Sequence, residues 1–257
     1  MMQLRCRVSA VDVVGPNIFV LSFRAPQIAS LISPGQFVNI KVNDLSTPLL
    51  RRPFSVYHVL GETVSIIFNV IGWGTRLLSE KHIGDEIELL GPLGRAYTLE
   101  GNYQTALLVA GGLGVAPLPM ITAALMESSK KIITFLGART RDQLITRYLQ
   151  NVHCSADDGT AEYHGTVVDH LRSELSATNF SQAKIFACGP NRMLIALSAL
   201  AEKFNIPCEA SLESAMACGI GICQGCPVEL VDGENKYALI CKDGTVFDTH
   251  KIRIKEW

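Results

Sequence analysis

The chain has 257 residues, 48% of them hydrophobic, with a formal net charge of −1 and a pI of about 6.6. That length holds two or three modest domains with a sizeable core, and the charge balance excludes the basic footprint of a nucleic-acid binder or a polybasic membrane patch. No apolar run is long enough to span a bilayer, and the segment 1–7 lacks the apolar stretch of a signal peptide, so a cytoplasmic protein with no nucleic-acid or membrane partner is expected.

Residues 1 to about 100 read as short strands over 4–14, 18–24, 36–42, 53–59, 63–71 and 86–90, punctuated by Gly15-Pro16, Pro34-Gly35, Gly61, Gly84 and Gly91-Pro92. Closely spaced strands with such turn signals predict a small β-barrel, with one helix over 74–81. After Gly101 strands and helices alternate: strand 105–110, a glycine turn, helix 116–127, strand 131–136, helix 141–149, strand 184–187 and helix 191–204. That pattern predicts βαβ units on a parallel sheet, which binds ligands at the carboxyl ends of its strands. From about 212 the texture changes again. The stretch 216–227 is rich in Cys and Gly, and short strands are expected over 228–231, 237–240 and 246–248. So small a tail cannot build an apolar core of its own and requires a staple such as a metal cluster. The expected fold is α/β plus all-β: a barrel over 1–100, a nucleotide-binding parallel α/β domain over 101–211 and a small C-terminal domain over 212–257.

Eight cysteines need an explanation, and a secreted disulfide framework is a poor one for a chain of this size. Cys6, Cys154 and Cys208 read as small buried hydrophobes. Cys218, Cys223 and Cys226 crowd into nine residues, with Cys241 further on. This is the plant-type [2Fe–2S] spacing, in which a tight loop supplies three thiolates and a neighbouring strand the fourth. Gly219, Gly221 and Gly225 let the loop wrap closely and turn N–H groups toward the sulfurs. Zinc ribbons usually carry two CxxC pairs, and only one is present.

Four further motifs are weaker singly. Arg52-Pro53-Phe54-Ser55 offers a flavin a cation for its pyrophosphate, an apolar wall and a hydrogen-bonding group; alone it reads equally as an ordinary strand start. Ile67-Phe68-Asn69, followed by Gly74-Thr75 opening a helix, offers N–H groups and a hydroxyl to a phosphate, or is a glycine turn with a Thr cap. Gly111-Gly112-Leu113-Gly114 joins a strand to a helix as a phosphate-binding turn does, with Pro117 suited to the first helical turn. Cys188-Gly189-Pro190 marks another strand-to-helix junction, where Gly189 permits close approach of a ligand or the turn is a plain one with a buried thiol. If Asp157-Asp158 lies near an adenosine ribose, its charge favours NADH over NADPH; an exposed acidic loop is the simpler reading.

Taken in order, the Arg-Pro-x-Ser, Gly-Gly-x-Gly and Cys-Gly-Pro-x-x-Met motifs resemble the ferredoxin–NADP reductase superfamily. The tail Ser211-Leu212-Glu213-Ser214-Ala215-Met216-Ala217-Cys218-Gly219-Ile220-Gly221 narrows the resemblance to the electron transfer subunits of B-type dihydroorotate dehydrogenases. The resemblance implies one FAD, one [2Fe–2S] cluster and NAD as cofactors. It also implies an FMN-containing catalytic subunit as partner, two of each in a heterotetramer, with electrons passing from that FMN through the cluster and FAD to NAD+ in pyrimidine biosynthesis. FAD would be contacted by Arg52, Pro53, Phe54, Ser55, Ile67, Phe68, Asn69, Gly74 and Thr75, NAD by Gly111, Gly112, Gly114, Cys188, Gly189 and Pro190, and the cluster ligated by Cys218, Cys223, Cys226 and Cys241. Phe54 stands where many reductases of the superfamily have Tyr, which removes one hydroxyl contact to the flavin. Trp257 is expected to pack rather than to cover the flavin. Related reductase subunits of ferredoxin–NADP oxidoreductase, sulfide dehydrogenase and sulfhydrogenase share the layout, though some replace one cluster cysteine with Asp. A zinc-stabilised adaptor without flavin is the reading from outside redox chemistry.

Overall fold

The computed structural model describes residues 1–44, 47–178, 180, 182–233 and 235–256, so Trp257 lies outside the described residues. The barrel comprises β1 (Met2–Gly15), β2 (Ile18–Arg24), β3 (Phe37–Lys41), β4 (Arg52–Leu60), β5 (Thr63–Asn69) and β6 (Glu86–Leu93), all antiparallel and closed in the order β1-β2-β5-β4-β3-β6. Closure leaves no exposed edge, and Leu21, Phe23, Val38, Ile40, Val56, Ile66 and Leu89 fill the interior. Two short helices, α1 (Pro26–Ala29) and α2 (Trp73–Ser79), connect strands. The β4–β5 ladder runs only from Leu60↔Thr63 to Val56↔Ile66. Beyond it Arg52–Ser55 pair with β3 alone and Ile67–Asn69 with β2 alone, so the two strands part. Pro53, which has no N–H to leave unpaired, sits on the parted side.

The second unit is built on β7 (Thr105–Gly111), β8 (Lys131–Ala138), β9 (Val152–Ala156), β10 (Tyr163–His164), β11 (Ala183–Cys188) and β12 (Cys208–Ser211), all parallel, with α3 (Leu118–Met126), α4 (Val167–Ala177) and α5 (Asn191–Lys203). Alternation along β7 divides the core. Leu107 and Val109 join α4 and α5 on one face, while Ala106, Leu108 and Ala110 join α3 on the other. Strand order turns about β7, which places the sheet's switch point between β7 and β11.

The helix expected over 141–149 is not formed: only Arg141–Gln143 makes a 3₁₀ turn. Contacts with the barrel override local propensity there. Ile145 is buried, Tyr148 adopts a left-handed backbone (φ 67°), and its ring stacks on His58 of β4 at 4.0 Å. Pro117 precedes the first turn of α3 as its N-cap rather than lying inside it. The sequence pattern assigns nothing to β9, α4 or β12.

The tail adds β13 (Pro227–Leu230), β14 (Tyr237–Leu239), α6 (Ile240–Asp243), β15 (Val246–Asp248) and β16 (Ile252–Arg253). β13, β14 and β16 form a small sheet, whereas β15 pairs antiparallel with β12 and completes a seven-stranded sheet. As its size demands, the tail shares a core: Cys226, Val228, Ile240, Cys241 and Ile252 belong to the same apolar cluster as α4 and α5. The barrel, sheet and tail meet at Thr245, whose hydroxyl donates to Gly35 O (3.0 Å) and accepts from Ser211 Oγ (2.9 Å), all buried from solvent. Close by, Leu212 N–H donates to Thr245 O (3.0 Å).

Two outcomes are expected. Thr245→Val strands a buried carbonyl and a buried hydroxyl, and should cost about 1–3 kcal/mol in urea unfolding of the full chain. Burial raises the Cys6 thiol to about 11 and the Cys208 thiol to about 12, from a usual 9.0. The unfolded chain therefore ionises first. This contribution to stability is intact below pH 9 and is lost as pH rises toward 11 and 12. The unfolding free energy measured in urea should fall between pH 8 and pH 10, by about 1 kcal/mol per thiol, and an unchanged value would contradict the burial argument.

Candidate functional site

Where β4 and β5 part, a cleft of about 300 Å³ opens against the second unit. Pro53, Phe54 and Ser55 line it from β4, and Ile67, Phe68 and Asn69 from β5. The opposite wall comes from the carboxyl ends of the parallel strands: Leu113 after β7, Cys188 at the end of β11, and Ser211, Leu212 and Glu213 after β12. Thr75, Ser214, Met216 and Thr245 also line it. Eight of the residues expected to contact cofactor thus share one cavity, at the strand ends where such sheets hold ligands.

The cleft's chemistry suits a flat, conjugated ring. Phe68 lies 5.7 Å from the Phe54 ring and 5.9 Å from Phe19, so an aromatic wall backs the barrel side even without a tyrosine hydroxyl at position 54. Asn69 Oδ1 is buried without a hydrogen-bond partner among the described residues. Arg52 and Gly74 stand together at one edge: a Cβ on Gly74 would lie 3.0 Å from Arg52 Nε, so the glycine lets the guanidinium lie against the start of α2. The Thr75 hydroxyl is already engaged, accepting from the N–H groups of Ile71 (3.0 Å) and Gly72 (3.2 Å). It shapes the turn that seats Arg52 rather than offering a free donor.

The two glycine turns interlock. A Cβ on Gly114 would stand 2.1 Å from Cys188 O, and one on Gly111 2.7 Å from Met193 Sδ. These glycines serve the close approach of the β7 and β11 junctions, while exposed Gly112 (φ 54°) faces open space. Gly189 packs against Gly111, and Pro190 opens a second cleft of about 670 Å³ shared with Arg192, Glu213, Ser214 and Gly225. Glu213 and Ser214 line both clefts, which therefore share a wall. Cys188 is buried, and burial, reinforced by the Glu213 carboxylate, pushes its thiol far above the usual range, so it faces the cleft as a neutral group. Glu213 remains within reach of water, but crowding by the cleft walls desolvates its carboxyl and raises its pKa. Asp157 and Asp158 lie on the turn after β9, and Asp158 accepts from Thr160 N–H (3.0 Å) and Thr160 Oγ1 (2.6 Å). Those contacts hold its carboxyl below the usual range.

The cysteine loop begins beside the cleft. Its sulfurs fall into two couples. Cys218 and Cys223 lie 3.3 Å apart. Cys226 and Cys241 form the other, with Cys241 N–H donating to Cys226 Sγ at 3.4 Å. Backbone N–H groups converge on the sulfurs: Ile220 and Cys223 on Cys218 (3.5 and 3.4 Å), and Gly221 on Cys241 (3.1 Å). Desolvation opposes ionisation of Cys218, but the N–H groups of Cys223, Ile220 and Ile222 outweigh it and bring the thiol down to about 6. Burial first, and Cys226 second, raise Cys241 to about 12 in the absence of a cation. Two couples of thiols with amides aimed at them match the donor set of a two-iron cluster, two thiolates per iron. Gly219 (φ 71°) allows the loop to meet the barrel: a Cβ there would lie 2.5 Å from Asn39 Nδ2, which donates to Cys218 O (3.3 Å).

Sequence reasoning missed Asn39, Ser211, Glu213 and Thr245 as part of this site. Only Glu213 had a signal, an acid placed just before the cysteine run.

The family model for the iron-sulfur cluster binding domain of dihydroorotate dehydrogenase B matches residues 213–253. A dihydroorotate dehydrogenase B (NAD(+)) electron transfer subunit from Desulforamulus reducens is 33% identical over 254 residues, covering 96% of each chain. One from Bacillus caldolyticus is 34% identical over 257 residues, covering 96% of this chain and 97% of the relative. Among solved structures, a chain of NADH-dependent reduced ferredoxin-NADP oxidoreductase superposes with a TM-score of 0.86 at 28% identity, over 97% of this chain and 90% of that one. With barrel, sheet and cysteine tail all matched end to end, the chain belongs to the family of dihydroorotate dehydrogenase B (NAD(+)) electron transfer subunits.

Proposed function

We propose that this chain carries electrons between NAD and a catalytic subunit that oxidises dihydroorotate, using FAD in the β4–β5 cleft and a [2Fe–2S] cluster in the cysteine loop. The observation that carries the reading is the continuity of the two sites: Met216 lines the cleft, and Cys218 stands two residues on. FAD, when bound, couples the two-electron chemistry of a nicotinamide to the one-electron chemistry of an iron–sulfur cluster.

The chain's own residues then have distinct tasks. Arg52, seated by Gly74, provides the cation for the flavin pyrophosphate, while Phe54 and Phe68 pack on the ring system. Ser55, Asn69 and the neutral Cys188 offer polar contacts without fixed charge. Gly111, Gly112, Gly114, Gly189 and Pro190 shape the approach for NAD from the second cleft. Cys218, Cys223, Cys226 and Cys241 hold the cluster, and the amides of Ile220, Gly221 and Cys223 stabilise its negative charge. Cys223 and its neighbour Ile222 are exposed whereas Cys226 and Cys241 are buried, which supports docking of the partner over the outer couple. The partner is an FMN-containing subunit, assembled two and two with this chain. The three-part division at 1–100, 101–211 and 212–257 follows these tasks. As part of this proposal the assembly works in the cytoplasm; no helix among the described residues is long and apolar enough to cross a membrane.

An anaerobic absorbance spectrum before and after NADH, with iron and acid-labile sulfide assays, tests the assignment. A flavin spectrum with broad cluster absorption, about two irons and two sulfides per chain, and bleaching by NADH is expected. Zinc in place of iron, with no flavin recovered on adding FAD, would sink it. Co-expression with a dihydroorotate-oxidising subunit should yield NAD-linked dihydroorotate oxidation; activity with a ferredoxin partner alone would move the chain to a related reductase. Cys223→Ser should lose the cluster and render the tail protease-sensitive, yet leave FAD bound and reducible by NADH. Survival of full iron content in that variant would overturn the ligand assignment.

A further inference from the structure

Far from the cysteine loop, at the β10 edge of the seven-stranded sheet, His153, Glu162 and His170 bring one potential ligand atom each to within 4.8 Å of one another. His153 lies on β9, Glu162 immediately precedes β10, and His170 projects from α4. We propose that these three residues bind one divalent cation of the zinc type, which ties the stems of the 157–161 turn to α4.

The chemistry of the set is specific. Two imidazoles and one carboxylate suit zinc, which takes nitrogen and oxygen ligands at about 2.0–2.2 Å in a tetrahedron, with water in the remaining position. Ligand atoms of such a site stand about 3.4 Å apart, and His153 Nδ1 already lies 3.8 Å from Glu162 Oε1. Binding requires the three ligand atoms to close from within 4.8 Å of one another to about 3.4 Å. The rings are held for the purpose. Phe135 stacks on His153 at 5.0 Å, and Tyr163 stacks on His170 at 4.4 Å. The Ser155 hydroxyl sits 3.0 Å from His170 Nδ1. With Nδ1–H donating to that oxygen, the lone pair is on Nε2, which is the arrangement by which outer hydrogen bonds orient ligating histidines. Glu162 is fixed on its other oxygen by Cys154 N–H at 3.4 Å. His170 is buried, whereas His153 and Glu162 keep 35% and 58% of their side chains exposed, so the site has both an anchored ligand and an entry path. An imidazole–carboxylate ion pair would account for His153 and Glu162, but gives no reason for His170 to converge on the same point.

The test uses the full, tag-free chain with its flavin and cluster loaded, treated with a chelator and then titrated with Zn²⁺ by calorimetry. One saturable equivalent is expected. Zinc K-edge absorption of that sample should show imidazole and oxygen neighbours and no sulfur. His153→Ala and Glu162→Gln, both at partly exposed positions, should each weaken binding by about tenfold or more, with flavin and iron content unchanged. Absence of a saturable equivalent, sulfur in the zinc shell, or equal affinity in both variants would overturn the proposal.

Discussion

The molecule depends on one short passage of chain, residues 244–246, threaded between the barrel and the parallel sheet. The Thr245 hydroxyl bridges Gly35 of the barrel and Ser211 of the sheet, and β15 begins at the next residue. Gly94 allows this passage, since a Cβ there would lie 2.8 Å from Gly244 O. Tyr97 reinforces the junction from the linker between the units, donating through its hydroxyl to Ala187 O (2.7 Å) and through its backbone N–H to Pro34 O (2.9 Å). Because these bonds are buried, breaking any of them strands a polar group away from water. The cleft walls are fixed relative to one another by this arrangement, since Ser211 and Thr245 themselves line the cavity.

From that fixed geometry the two sites follow. The barrel wall supplies aromatic surface and a cation; the sheet wall supplies strand ends and a neutral thiol. The tail supplies Glu213, Ser214 and Met216 before it turns into the cysteine loop. No wall is complete without the others. The barrel's contribution arises from an interrupted ladder: if β4 and β5 stayed paired past Val56, Pro53–Ser55 and Ile67–Asn69 would face one another across hydrogen bonds instead of across a cavity.

Much of this was legible in the sequence because it is written in residues with narrow tolerances. Cysteine spacing announces the paired thiols, and Gly-Pro punctuation outlines the barrel strands. The continuous apolar run at 105–110 marks a strand covered on both faces. Pro53–Ser55 and Ile67–Asn69, far apart in the chain, line one cavity. What escaped was set by long-range contact. The 141–149 stretch has helical composition, but the anchoring of Ile145 and Tyr148 on the barrel fixes another path. Gly114 reads as a phosphate turn, and only the structure shows Cys188 O occupying the space a side chain would need. Asn39 is an ordinary strand residue until the loop that packs on it, 179 positions away, is in place.

The pairing of β15 with β12 carries a further implication for how the chain can be divided. A parallel sheet ending at β12 would present a row of unsatisfied amides and carbonyls beside the buried residues Cys208 and Ala210. Such a border recruits other strands and promotes aggregation. The cysteine-bearing tail is therefore also the hem of the nucleotide-binding unit. A shortened chain that omitted it would lose more than an electron relay, because it would expose an adhesive margin that the 257-residue chain keeps covered.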